Sequence, residues 1–67
     1  MLKSNIEELI YNSGFKKQFI AEKLKISVKQ LRNYETGKSL IPMDKAFILV
    51  RLLGDDLKVD DLYEWKE

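Results

Sequence analysis

Apolar residues recur three and four positions apart along almost the whole chain, the spacing of one face of a helix. Ile6, Leu9 and Ile10 mark a first helix, with Ser4 or Asn5 placed to cap it and Ser13-Gly14 to stop it. Ile20, Ala21 and Leu24 form the inner stripe of a second helix, expected from about Lys16 to Leu24. A break follows at Lys25-Ile26-Ser27. Ser27 is a good N-cap for a third helix through about Thr36, with Leu31 and Tyr34 inward and Gly37 as its left-handed stop. Pro42 stands near the start of a fourth helix over about residues 43–53, carrying Ala46, Leu49, Val50 and Leu53 and ended by Gly54. A short fifth helix is expected over about residues 60–66. Asp60 and Asp61 suit its positive end, Leu62 faces inward, and Trp65 either faces inward or joins a partner surface. No alternating pattern predicts a strand. The expected fold class is all-α, a compact five-helix single domain over residues 1–67.

Composition removes much chemistry. The chain has no Cys and no His, which excludes thiol nucleophiles, imidazole bases, disulfides and Cys/His zinc sites. Only scattered carboxylates remain, so no enzyme, metal site or cofactor is expected. The longest unbroken apolar run, Ala46 to Val50, is far short of the roughly 20 residues that span a bilayer. Glu7 and Glu8 follow soon after the start, so no secretory signal is expected and the cytoplasm is the expected location. A chain of 67 residues has a marginal core, which dimerisation would supplement. Net charge is +1 but uneven. Residues 16–38 hold seven bases against two acids, a net +5, whereas residues 44–67 hold seven acids against four bases, a net −3. The middle third is suited to a polyanion and the tail is not.

The run Asn33-Tyr34-Glu35-Thr36-Gly37-Lys38-Ser39 contains the Gly-Lys-Ser that ends many phosphate loops. Such a loop needs another glycine five residues before Gly37, after a strand. Arg32 holds that position, and the preceding residues read as a helix. Gly37 is better explained as a helix stop, and Lys38 as a cation beside the helix C-terminus, free to reach an outside anion.

Residues 16–36 pair two short helices across a three-residue turn, a helix-turn-helix. Ala21 is the small residue such a crossing needs, and Ile20, Leu24, Ile26 and Leu31 are placed to lock the pair. The second helix exposes Lys29, Gln30, Arg32 and Asn33, a row that fits a major groove about 12 Å wide. The run Ile20-Ala21, Leu24, Ile26-Ser27, Leu31, Glu35, Gly37-Lys38 and Pro42 resembles the helix-turn-helix domain of the phage-repressor and Cro group, also called the xenobiotic-response-element family. The resemblance implies a lambda-repressor-like DNA-binding fold with the motif formed by helices 2 and 3. It implies base reading by Val28, Lys29, Arg32 and Asn33. It implies phosphate contacts by Lys17, Ser27, Thr36 and Lys38. Val28 suits a thymine methyl, or is a partly covered helix residue. Thr36 takes that role or only helps to end the helix, and Gln30, Lys23 and Lys25 are expected to be solvated.

Several positions depart from the family. Lys25 fills a turn position that is usually Gly. Glu35 often pairs there with a base from the first helix, but the matching place holds Ile10. Tyr11, a backbone amide, Arg32 and Lys38 are its candidate partners, with exposure the remaining option. Phe19 falls at a usually polar position, as a local packing residue or a second contact site. The segment Gly54-Asp55-Asp56-Leu57 is two residues longer than usual. Ile48 and Leu52 make the fourth helix apolar nearly all round, and with Tyr63 and Trp65 they are the expected homodimer surface. The expected function is a sequence-specific double-stranded-DNA-binding regulator, a repressor of phage or mobile-element type acting as a dimer on an inverted repeat. The alternative is a protein-interaction module of antirepressor or antitoxin kind, binding a partner protein.

Overall fold

Each of the four long apolar stripes becomes a helix in the computed structural model, which describes residues 1–67. In chain order the elements are β1 (Leu2–Ser4), α1 (Ile6–Ser13), α2 (Lys17–Leu24), α3 (Val28–Thr36), α4 (Met43–Leu53), a 3-10 turn at Val59–Leu62, and β2 (Tyr63–Trp65). The helices enclose one core. Ile6, Ile10, Ile20, Leu24, Leu31, Leu49 and Leu62 are its largest fully buried side chains. Every helix contributes, so none of these short segments relies on its own marginal helicity.

The helix ends follow local chemistry. At the head of α3 the Ser27 hydroxyl accepts the Gln30 N–H at 3.0 Å. Gly37 ends α3 with φ 81°, a left-handed conformation in which its N–H reaches the Tyr34 carbonyl. The α1 cap divides its work between two residues. Asn5 takes the capping place without a side-chain bond, while the Ser4 hydroxyl accepts from the Ile6 N–H at 3.3 Å and donates to the Tyr34 carbonyl at 2.9 Å. Ser4 thereby ties the entry of α1 to the body of α3.

The turn between α2 and α3 is the tight one the motif needs. Lys25 has φ 59° and is the only non-glycine residue with positive φ. Its N–H donates to Glu22 at 3.1 Å, and the Ile26 N–H donates to Ala21 at 3.0 Å. Lys45 from α4 donates to the Leu24 carbonyl at 3.1 Å and closes the end of α2. The left-handed conformation at Lys25 costs roughly 1 kcal/mol that glycine would not incur. Lys25→Gly is therefore expected to raise the melting temperature by about 4–8 °C, readable in a thermal melt by circular dichroism. An unchanged or lowered midpoint would mean that the turn carries no such strain.

The expectation of five helices is corrected. There are four, and residues 60–66 do not form a fifth. Val59–Leu62 makes a single 3-10 turn, with the Lys58 N–H donating to the Asp61 carboxylate at 2.8 Å. Residues 63–65 then run as β2, antiparallel to β1, pairing Leu2 with Trp65, Lys3 with Glu64 and Ser4 with Tyr63. The ends are fastened further by the Asn5 N–H on Leu62 at 2.8 Å and the Lys66 N–H on Met1 at 2.7 Å. A seven-residue helix repays little of its nucleation cost, whereas pairing with β1 supplies the same backbone groups with partners at once. Tyr63 and Trp65 also favour the extended form. Trp65, for which the sequence left an inward place and a partner surface both open, lies on the small sheet and is 67% exposed. Leu62 is fully buried as expected.

Candidate nucleic-acid interface

The exposed flank of α3 is defined by what the core takes from it. Leu31, Tyr34 and Glu35 are buried, and Gln30 is half-buried. Successive residues are about 100° apart around a helix, so Val28, Arg32, Thr36, Lys29 and Asn33 fan across the opposite arc in that order. Lys29 lies near the middle of the fan. Arg32 lies toward the edge that meets α1 and the start of α2, and Asn33 lies toward the other edge.

The site residues expected from sequence fall into two groups. Lys29 and Lys38 are exposed and pair with no carboxylate. Val28 is exposed as well. Asn33 is half-buried and donates to Gln30 at 3.5 Å, a long bond easily exchanged for another acceptor. The Ser27 hydroxyl accepts from a backbone N–H as a cap and still has its own hydrogen to donate. Thr36 donates its hydroxyl hydrogen to the Asn33 carbonyl at 3.3 Å, so the side chain already serves the end of α3.

Lys17 and Arg32 are engaged within the protein. Glu35 is the one buried charged residue, its side chain 0% exposed. Its Oε1 lies 3.2 Å from Lys17 Nζ and 3.5 Å from Arg32 Nη1, while neither carboxylate oxygen forms a hydrogen bond of good geometry. Charge attraction rather than directed bonding therefore holds this group. Of the partners considered from sequence, Arg32 is present, Tyr11 and Lys38 are not, and Lys17 was missed. Ile10, at the place where relatives carry a base, is packed in the core. The counter-charge comes instead from the head of α2 and from one turn earlier on α3.

A second carboxylate completes the cluster. Glu7, on α1, accepts a hydrogen bond from Arg32 Nη1 at 2.6 Å and stands 3.8 Å from Lys17 Nζ. The Arg32 hydrogen bond, then its charge, with Lys17 adding, hold the Glu7 carboxyl below the usual carboxylate range, against a weaker opposing effect of desolvation. Glu7 in turn raises the Arg32 guanidinium above its ordinary value. Sequence reading missed Glu7. Its pairing with Arg32 spans 25 residues and leaves no periodic signal.

Phe19 is a local packing residue. Its ring lies 5.1 Å from that of Phe15, and Lys23 sits 5.4 Å over it, one further helical turn along. On α4, Ile48 is exposed and Leu52 is half-buried against the core. Tyr63 also leans on the core, and its hydroxyl accepts the Ile41 N–H at 2.9 Å. Burial raises the Tyr63 phenol, and the bond from Ile41 works the other way. Met43 and Phe47, one turn apart on the outside of α4, are exposed and were not singled out from sequence; Phe47 is 56% exposed.

Two helices at a tight turn, the second exposing Lys29 without an acidic partner and Arg32 at the flank beside α1, define a helix-turn-helix protein of the nucleic-acid-binding class. The family profile described as helix-turn-helix matches residues 6–57, and the chain belongs to this Cro/C1-type, xenobiotic-response-element family. DNA binding in transcription regulation is the work of this family, which is not typically enzymatic. No curated protein matches the chain. No helix is long and apolar enough to cross a membrane.

Proposed function

We propose that the protein is a sequence-specific regulator of transcription that places α3 in the major groove of double-stranded DNA. It would act in the cytoplasm as a repressor of phage or mobile-element type. The observation that carries the reading is the exposed flank of α3. Lys29 stands near its centre without an acidic partner, and Lys38 lies just past its end. Such a lysine donates to guanine O6 or N7, Val28 meets a thymine methyl, and Asn33 pairs with adenine. Arg32 lies at the edge of the same face, and Lys17, Ser27, Thr36 and Lys38 surround it where phosphates would run.

A single domain of this size reads few base pairs. A symmetric dimer would place two copies of α3 in successive grooves about 34 Å apart, on an inverted repeat. The dimer surface we propose draws on the outer side of α4 and on β2. Ile48, Leu52, Tyr63 and Trp65 contribute, while Met43 and Phe47 are exposed on the other flank of α4, across Asp44 and Arg51. Exposed apolar side chains on so small a domain favour a partner surface.

Titration of labelled genomic fragments by fluorescence anisotropy, with sedimentation of the protein alone at tens of micromolar, tests both parts. A specific complex that weakens steeply with salt is expected, together with a mass near twice 7.9 kDa. A monomer removes the dimer. Absence of any complex at low salt overturns the DNA reading and favours a module that binds a partner protein through the α4 face.

A further inference from the structure

We propose that Lys17 and Arg32 form a clamp for one phosphodiester of the duplex backbone, and that Glu7 occupies this clamp in the free protein and is displaced when DNA docks. The inference rests on the DNA-binding reading and sharpens it, because it assigns Arg32 to the backbone rather than to a base.

The geometry is that of an anion site already filled from within. Two cations from different helices converge on one oxygen, Glu7 Oε2, with Arg32 Nη1 at 2.6 Å and Lys17 Nζ at 3.8 Å. The first helical residue of α2 is Lys17, and no side chain caps that helix, so its leading N–H groups have no side-chain partner. A shallow cleft lined by Glu7, Tyr11, Gly14, Phe15, Lys16 and Lys17 opens beside them. A phosphodiester oxygen arriving there finds a guanidinium, an ammonium and free backbone donors, which is the donor set that backbone phosphates take.

The two carboxylates in the cluster have different parts. Glu35 is fully buried and cannot leave, so it keeps both cations near the surface of α3 in either state. Glu7 has 52% of its side chain exposed and can swing into water. Its departure is the exchange of one anion for another at the same donors. The position of Arg32 on α3 agrees, since it lies on the half of the exposed fan that faces α1, between Val28 and Thr36, within reach of Glu7.

Removing Glu7 therefore removes a competitor. Glu7→Gln is expected to tighten DNA binding roughly tenfold at low salt, a coupling of ordinary size for a charge-assisted contact. Glu8→Gln, the neighbouring exposed carboxylate without an ion pair, corrects for the general effect of one less negative charge and is expected to give about twofold or less. In an Arg32→Gln background the excess of Glu7→Gln over Glu8→Gln is expected to disappear. Arg32→Gln alone is expected to weaken all sites alike, with the selected base sequence unchanged. Equal gains from Glu7→Gln and Glu8→Gln overturn the competition, and this comparison does not need the Arg32 variant. Relaxed choice at one base in Arg32→Gln overturns the phosphate assignment. If the wild-type protein forms no complex with any duplex, the DNA-binding reading fails and takes the clamp with it; the other results leave that reading standing.

Discussion

The double variant Lys17→Met, Arg32→Met is expected to lose about 3 kcal/mol of folding stability, and adding Glu35→Gln to it should restore most of that loss. Glu35 is wholly buried, and its oxygens have no hydrogen bonds of good geometry. What holds the charge in the protein is attraction to Lys17 at 3.2 Å and Arg32 at 3.5 Å. Breaking a buried pair from one side typically costs about 3–5 kcal/mol, because the remaining charge keeps its desolvation penalty without its compensation. Lys17 and Arg32 are half-exposed, so water moderates their attraction and the low end applies. Either single variant leaves one cation in place and should cost less than half as much. In a domain of this length about 3 kcal/mol corresponds to a fall of roughly 12–24 °C in melting temperature. Denaturant and thermal melts of the wild type and the four variants read the effect. A double variant melting within two or three degrees of wild type would falsify the claim that these cations hold Glu35.

That cluster also marks where sequence reading ended. The helices were legible because each presents an apolar stripe at helical spacing, and the ends of α3 were legible because Ser27 and Gly37 act through their own local chemistry. Nothing comparable announced the sheet. Three residues are too few for an alternating pattern, and the partner of Tyr63–Trp65 lies at the other end of the chain. Asp60 and Asp61 looked like the first turn of a helix and do sit in a turn, but the backbone beyond them finds β1 before it can build a second turn. The surroundings of Glu35 were hidden for a related reason. They depend on side chains from α1, α2 and α3 meeting at one point. Lys17 could be placed at the head of α2 and given an outward role, yet the same position is within reach of a buried carboxylate. On α4 the apolar excess was visible in sequence, but which of its residues stay outside depends on the angle at which α4 meets the core; Leu52 turned partly in, and Phe47 stayed out.

Lys29→Ala is expected to relax base choice at one position in each half-site, at a cost of about 1–3 kcal/mol on the preferred sequence, while Lys38→Ala weakens every duplex alike. The two residues share charge, exposure and freedom from acidic partners, so electrostatics alone does not separate them. Position does. Lys29 is the second residue of α3 and projects from near the middle of its exposed arc, where a helix seated in the groove approaches base edges. Lys38 follows Gly37, beyond the end of the helix, where the backbone phosphates of a docked duplex would run. A contact to a base edge depends on the donor and acceptor pattern there, so its loss should erase a preference and leave binding to unrelated duplexes nearly intact. A contact to a phosphate is blind to sequence. Its loss should lower affinity for all duplexes and reduce the salt slope by about one. Random-sequence selection with each variant, followed by salt titration on the best site, separates the two outcomes. If Lys29→Ala kept the full base preference, or if Lys38→Ala altered it, then α3 does not sit in the groove by the flank that the core leaves open, and the orientation drawn from the burial of Leu31, Tyr34 and Glu35 would have to be abandoned.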